Sequence, residues 1–451
     1  MGKGCAIEFV VYTNKQQTGR ILVFGQFRIP LFDLVMSLSG AIDLVSKELV
    51  DHHKQVAYIA LRIATEMGVA PETQRDIGLA GMLHDIGALS LEERLNALKF
   101  EADDPSRHAA TGHLLLSEID PLAGTNIARL VECHHVFWGH DDTKDNDDDV
   151  LLACHILHLA DRIAVLIDKD QYILAQCDTI VEKINENSSK MFSPKLVKTF
   201  NALAKEEFFW LDTVSPVIGA ILKRRLSLTE LNLDLKGLLG LSDIFRRIID
   251  FRSSFTASHS SGVAASAESL AKLYGFSKTE CLMMRIAGHL HDLGKLAVPV
   301  EILEKPGKLG KAEFEIIRSH SYYTYRILEP LEAISQIIEW AAFHHERLNG
   351  NGYPFHLDEG ELSLGARIMA VADVYTALTE DRPYRKPMGS GKALAILDDM
   401  VKSGALDGDV VSMLKRNFND VKHFLNQVEQ STHSEYKRFS IISSPPSPGW
   451  G

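Results

Sequence analysis

His291-Asp292 runs directly into Leu293-Gly294-Lys295, and farther along the chain come His344-His345 and the turn-forming Asn351-Gly352-Tyr353-Pro354. Adjacent imidazole and carboxylate donors, a second histidine pair and a lysine are what a phosphate-handling metal centre requires. Imidazole nitrogen and carboxylate oxygen without thiolate suit Mn, Fe, Zn and related divalent ions, in a catalytic rather than a structural role. Adding His259, His320 and Asp373 gives seven candidate ligands. Seven are too many for one tetrahedral ion and suit two, bridged by a carboxylate such as Asp292.

The elements that position these residues read as helices. From about Ile29 onward, apolar residues recur at spacings of three and four. Leu49 to Met67 is one such helix, stopped by Gly68 and Pro71. Residues 1–28 alternate weakly, as in Ala6 to Tyr12 and Ile21 to Phe24, which fits a leader or a short hairpin.

The most informative feature is an internal repeat. His52 and His259, Gly68 and Gly275, His84 and His291, Asp85 and Asp292, and Gly87 and Gly294 are each 207 positions apart. Farther on, His134 and His344 are 210 apart, while His108 and His320, and Asp161 and Asp373, are 212 apart. An ordered series of His and Asp matches at nearly one offset predicts an all-α chain made by tandem duplication. The helix introduced by Ser193-Pro194 recurs around Leu406 to Leu414. The expected divisions are 1–28, a first repeat at 29–228, a second at 229–428, and a Pro/Ser-rich disordered tail at 429–451.

At 451 residues the chain is long enough for two or three domains. Its net charge of −12 argues against a partner such as DNA or RNA polymer, whose backbone calls for a basic surface, but leaves room for a small anionic ligand. Five cysteines without a C-x-x-C pairing indicate neither a disulfide framework nor a cysteine zinc site, which fits a reducing cytoplasm. No apolar run is long enough to span a membrane, and no secretory pattern opens the chain.

Residues 242–425 resemble an HD-GYP phosphodiesterase domain, a bacterial branch of the HD hydrolases that opens cyclic dinucleotides. The resemblance rests on His259-x-x-x-Val263-Ala264, His291 to Lys295, Lys305 to Leu309, His320, His344-His345-Glu346, Asn349 to Pro354, Ala372-Asp373 and Asp381 to Arg385. The tandem arrangement is similar, more narrowly, to Vibrio-type enzymes that degrade 3',3'-cyclic GMP-AMP. The resemblance implies Lys295, Arg382 and Arg385 as phosphate contacts, with Gly352 and Tyr353 shaping the mouth of the site. Asp292 and Lys295 are the expected catalytic pair. Two Mn, Fe or similar ions would hold a bridging hydroxide for in-line attack on phosphorus. Some family members use a Glu four residues before the first His to hold a third metal; here that position is Phe255, so the centre is expected to be binuclear. Asn349 stands where Asp is usual.

The first repeat retains the corresponding Glu48, His52, His84, Asp85, His108, His134, His135 and Asp161. Its counterpart of Lys295 is Ala88, and Asp170 and Ile173 stand where the arginines would be. Val136 to His140 and an acidic run, Asp141 to Asp149, replace the Gly-Tyr-Pro turn. A dianionic substrate would be repelled, so the first repeat is expected to keep a metal shell, hydrolyse poorly, and regulate the second repeat through an intramolecular contact. A homodimer is compatible with this reading. The rivals are a cyclic-dinucleotide receptor or scaffold without turnover, a cyclic di-GMP-specific phosphodiesterase, and a nucleotide hydrolase of the wider HD superfamily.

Overall fold

Gly68 and Gly275, matched across the repeat, take positive φ of 70° and 79°. Each lies just past a helix that begins on a candidate ligand: α2 (His52–Glu66) and its counterpart α8 (His259–Leu273). Glycine reaches this left-handed conformation without a Cβ penalty, so both helices stop at equivalent points. The computed structural model describes residues 29–43, 49–88, 91–101, 106–119, 122, 125–139, 149–226, 232–252, 258–305, 307–380 and 388–442.

The first repeat is framed by α1 (Leu31–Asp43), α2, α3 (Pro71–Leu83), α4 (Ser106–Ser117), α5 (Ile127–Cys133) and α6 (Asp149–Val165). The second follows the same order with α7 (Leu235–Arg252), α8, α9 (Lys278–Leu290), α10 (Lys311–Leu328), α11 (Ser335–Ala342) and α12 (Leu364–Thr379), closed by α13 (Phe418–Ile442). Shorter helices fill the connections. In α2 Val56, Ile59 and Ile63 are buried where it packs on α3 and α6; in α8 Val263, Ala267 and Leu270 are buried where it packs on α9, α12 and α13. Complete burial of each larger aliphatic side chain contributes about 1.5–3 kcal/mol. The fold is therefore the expected tandem all-α duplication.

Local starts differ between the copies even where the architecture repeats. Pro71 opens α3, whereas Ser277 opens α9 with a capping box in which Ser277 and Glu280 each bond the other's backbone N–H. Gly87 and Gly294 are required by close approach. A Cβ there would lie 2.1 Å from the His108 carbonyl oxygen and 1.9 Å from that of His320. This contact seats each His-Asp doublet against the helix bearing the next histidine.

The repeats meet through the segments that precede their first long helices. β1 (Ile29–Pro30) and β2 (Asn232–Leu233) form a two-residue antiparallel ladder, with Ile29 opposite Leu233. Helix α1 packs on α3 of its own repeat and also on α10 and on Leu293–Ala297 of the second. Arg247 on α7 donates to Glu118, just beyond α4, at 2.8 Å.

Several expectations change. The helix expected over Leu49 to Met67 begins at His52, with Asp51 at φ 61° before it. Helix α13 continues to Ile442, so residues 429–442 are helical rather than part of a disordered tail. The Pro/Ser-rich run after it lies outside the described residues, as does the leader or hairpin at 1–28. Cys133 and Cys154, 21 positions apart in sequence, form a disulfide with Cα atoms 5.5 Å apart. Packing of α5 on α6 brings them together, which no short spacing motif signals. Among the described residues, no helix is long and apolar enough to cross a membrane.

Candidate metal centre

His291 caps the C-terminus of α9 and Asp292 follows it. His344 follows α11, His320 lies within α10, His259 begins α8 and Asp373 lies within α12. All are buried, with His345 half-buried beside them. The Asp292 carboxylate is divided between two sets of imidazoles. Its Oδ2 lies 3.1 Å from His291 Nε2 and 3.7 Å from His259 Nε2, while its Oδ1 lies 3.5 Å from His320 Nε2. Asp373 Oδ1 is 3.4 Å from His259 Nε2, and its Oδ2 is 3.7 Å from His345 Nδ1.

The histidines are oriented by their other ring nitrogens. His291, His320 and His344 donate Nδ1–H to the carbonyls of Gly288, Ile317 and Ala341 at 2.8, 2.5 and 2.7 Å. In each case the carbonyl is three residues earlier, so the helix itself aims Nε2 at the centre. His320 Nε2 and His344 Nε2 then face each other at 3.3 Å. Burial, above all, holds the pKa of His320 down at about 4 and of His344 at about 3, leaving neutral imidazoles with lone pairs. Burial would raise the Asp292 carboxyl, but His291 and Lys295 outweigh it and hold it well below the usual range.

These features fit a divalent cation. Converging lone pairs repel one another without a positive charge between them, and His291 Nε2 is buried with no hydrogen-bond partner. His259, His291 and Asp373 form one group with ligand geometry, and His320, His344 and His345 another; Asp292 reaches both.

Lys295 sits in the turn after the doublet, with Nζ 2.6 Å from Asp292 Oδ2 and its side chain 21% exposed. The ammonium thus stands at the edge of the centre. Gly352 lies where a Cβ would come within 2.4 Å of Glu346 Cα and Arg347 N, so the Gly-Tyr-Pro turn crosses directly over the histidine segment. The buried Glu346 fastens that crossing by accepting Phe355 N–H at 2.7 Å and Leu357 N–H at 3.1 Å. The Tyr353 ring lies 4.8 Å from that of His345, and the Arg318 guanidinium lies 4.7 Å from the Tyr353 ring centre. Arg382 and Arg385 lie outside the described residues, as does Phe255. Asn349, the departure from the usual Asp, donates Nδ2–H to Ser403 O at 3.0 Å and accepts Asn351 N–H at 3.1 Å. A carboxylate could accept but not donate, so the amide gives this loop an additional tether.

The first repeat assembles the same shell. Asp85 Oδ2 is 3.2 Å from His84 Nε2 and Oδ1 is 3.2 Å from His108 Nε2; Asp161 Oδ1 is 3.5 Å from His52 Nε2. His135 Nε2 lies 3.0 Å from His108 Nε2, and His134 donates Nδ1–H to Val131 O at 2.6 Å. His52 Nε2, His84 Nε2 and Asp161 Oδ1 are buried without hydrogen-bond partners. Glu48 and residues 140–148 lie outside the described residues.

Around this shell the two repeats diverge. Ala88 is buried, with Arg94 donating to its carbonyl at 2.7 Å, so no ammonium stands at this position. Arg162, buried beside the centre, binds Asp161 Oδ2 at 2.5 Å. Asp170 is exposed in a turn where its N–H bonds Asp168 Oδ1 at 2.9 Å, and Ile173 is buried. Instead of a Gly-Tyr-Pro crossing, Phe137 stacks on His158 with ring centres 5.2 Å apart.

Sequence reasoning missed Glu346 as an anchor, Arg318, Arg162 and the buried Glu380, whose Oε2 lies 2.9 Å from His259 Nδ1. Only Glu346 carried a local signal, its place beside the histidine pair.

A duplicated helical shell of buried His and Asp side chains defines an HD-domain protein, and HD-domain models match residues 49–166 and 243–410. The chain is 31% identical to 3'3'-cGAMP-specific phosphodiesterase 1 of Vibrio cholerae, covering 93% of this chain and 96% of that protein. It is 27% identical to 3'3'-cGAMP-specific phosphodiesterase 3 of the same organism, covering 90% and 99%. A shorter match, 41% identical, relates 31% of this chain to 34% of a cyclic di-GMP phosphodiesterase of Pseudomonas aeruginosa. The fold matches the crystal structure of a V. cholerae cyclic GMP-AMP-specific phosphodiesterase with a TM-score of 0.62 and 23% identity, over 87% of this chain and 98% of that one. The chain belongs to the HD-GYP family of cyclic-dinucleotide phosphodiesterases.

Proposed function

We propose that the second repeat hydrolyses 3',3'-cyclic GMP-AMP to a linear dinucleotide in the cytoplasm, with cyclic di-GMP as a second substrate, and that the first repeat regulates it without turning substrate over. The observation that carries this reading is the difference at one position: Lys295 beside Asp292 in the second centre, Ala88 in the first. The preferred substrate follows the two relatives that align along nearly their whole length, and the second substrate follows the Pseudomonas relative.

His259, His291, Asp292 and Asp373 would hold one ion, and Asp292, His320, His344 and His345 the other. Bound Mn or Fe would activate water near neutral pH and polarise a phosphoryl oxygen. Lys295 presents its ammonium to the oxygens on which charge develops, and Arg382 and Arg385 add cations to the same group. Tyr353 and Arg318 border the mouth, where a planar base has an aromatic and a guanidinium surface to rest on. Asp292, with one carboxylate oxygen toward each histidine group, would belong to both ions.

Regulation by the first repeat is supported by its direct contact with the active half: α1 lies against the turn that carries Lys295. A line of polar contacts also leads inward from the interface. Arg247 links Glu118 to Asp243 at 2.8 and 2.9 Å; Arg246 links Asp243 to Asp250 at 2.7 and 3.3 Å; and Ser260, next to His259, bonds Asp250 at 2.8 Å.

The test is incubation of the purified chain, loaded with Mn or Fe(II), with each cyclic dinucleotide, followed by chromatography of the products. Linear pGpA or its isomer is the expected result. Absence of linear product from every substrate, with tight binding retained, would leave the receptor reading in its place.

A further inference from the structure

His259 differs from the other helix-borne ligands of its centre. His291, His320 and His344 each donate Nδ1–H to a carbonyl three residues back. His259 is the first residue of α8, and its Nδ1 lies 2.9 Å from Glu380 Oε2. Both side chains are buried, at 3% and 4% exposed, while His259 Nε2 faces Asp292 and Asp373. Glu380 is the residue immediately after α12, which carries Asp373, and immediately before the chain segment containing Arg382 and Arg385.

We infer that Glu380 is a positioning residue for the ion held by His259. Its carboxylate fixes the imidazole as the Nδ1–H tautomer, aims Nε2 into the centre and makes that nitrogen a stronger donor. One hydrogen bond thereby joins the first ligand of α8 to the root of the arginine-bearing segment. The first repeat provides an internal contrast. The residue 212 positions earlier, Asp168, is exposed and occupied within its own turn, accepting from Asp170 N–H at 2.9 Å and Gln171 Nε2–H at 2.5 Å. Among the described residues, the device therefore belongs to the repeat that carries Lys295.

This inference rests on the second repeat being a two-ion centre, and the experiment separates the two claims. Chelator-stripped full chain, carrying His84→Ala to silence the first repeat, is titrated with Mn(II) alone by calorimetry. Two bound ions support the centre; none would overturn both the centre and the role of Glu380. Adding Glu380→Ala is expected to weaken one of the two ions about 10–100-fold and leave the other unchanged. Glu380→Gln, which preserves volume and removes charge, is expected to weaken the same ion by a smaller factor and keeps the test open if the alanine variant does not fold. In both variants excess Mn(II) should restore kcat with KM unchanged. Wild-type affinity for both ions in the folded variants, or equal weakening of both, would overturn the assignment.

Discussion

Replacing Lys295 with methionine removes the ammonium while keeping the length of the side chain. In the free protein Lys295 Nζ pairs with Asp292 Oδ2 at 2.6 Å, at a position 21% open to solvent. In the metal-loaded protein the bound cations would still balance Asp292, so losing the lysine does not strand its charge. The stability cost should therefore be near that of a rim ion pair, about 1 kcal/mol or less. The cost to reaction is larger, because charge develops on phosphoryl oxygen only in the transition state. Loss of one preorganised donor at such a position lowers the rate by about 10²–10³, or about 2.7–4 kcal/mol. Arg382 and Arg385 would remain as cations, which places the expectation at the lower end, about 100-fold in kcat/KM. Steady-state hydrolysis of 3',3'-cyclic GMP-AMP under saturating Mn, with metal content measured in parallel, provides the readout. If kcat/KM stays within twofold of wild type, the phosphate role is wrong. If excess metal recovers the whole loss, Lys295 acts through Asp292 and not on the substrate.

Four further outcomes are expected. Gly352→Ala should move the Gly-Tyr-Pro crossing off Glu346 and Arg347, lowering Tm by several degrees and activity at least tenfold; thermal melts and rates unchanged from wild type would contradict the close-contact argument. Asn349→Asp removes the exposed donor to Ser403 and should cost about 0.5–1 kcal/mol in urea denaturation, whereas an equal or higher midpoint would show that the tether is not stabilising. Combined His84→Ala and Asp85→Ala should lower the measured metal content and shift kcat of the second repeat; full retention of metal, activity and stability would remove a regulatory ion from the account. A double-mutant cycle on Glu118 and Arg247 should give a stability coupling of only about 0.2–1 kcal/mol, because Glu118 is 51% exposed, and a larger effect on kcat than on stability is expected if the interface transmits regulation.

The duplication was readable because ligands tolerate little displacement: His52 and His259, or Asp85 and Asp292, keep one offset through long stretches that share few other landmarks. The all-α fold was readable from spacing for the same helices that bury Val56 or Leu270. Glu380 was not, since it meets His259 across 121 positions and no local pattern specifies that a helix-starting histidine will use a distant carboxylate. Cys133 and Cys154 were missed for the same reason, their proximity being a product of how α5 lies on α6. Asn349 was seen as a departure, but its benefit depends on the Ser403 carbonyl, a partner 54 positions away. Short-range chemistry was legible, and long-range partners emerged only with packing.

The small ladder between the repeats has a further meaning. The long helices that follow it start at Leu31 and Leu235, so Ile29 corresponds to Leu233, and these two residues lie directly opposite each other, 0% and 1% exposed. An antiparallel pair of equivalent residues is the contact made at the axis of a two-fold homodimer. At this seam the chain has the geometry of two subunits joined into one polypeptide. Covalent joining lets the two halves meet at fixed stoichiometry and high effective concentration, so the two halves are free to diverge at matched positions such as Ala88 and Lys295.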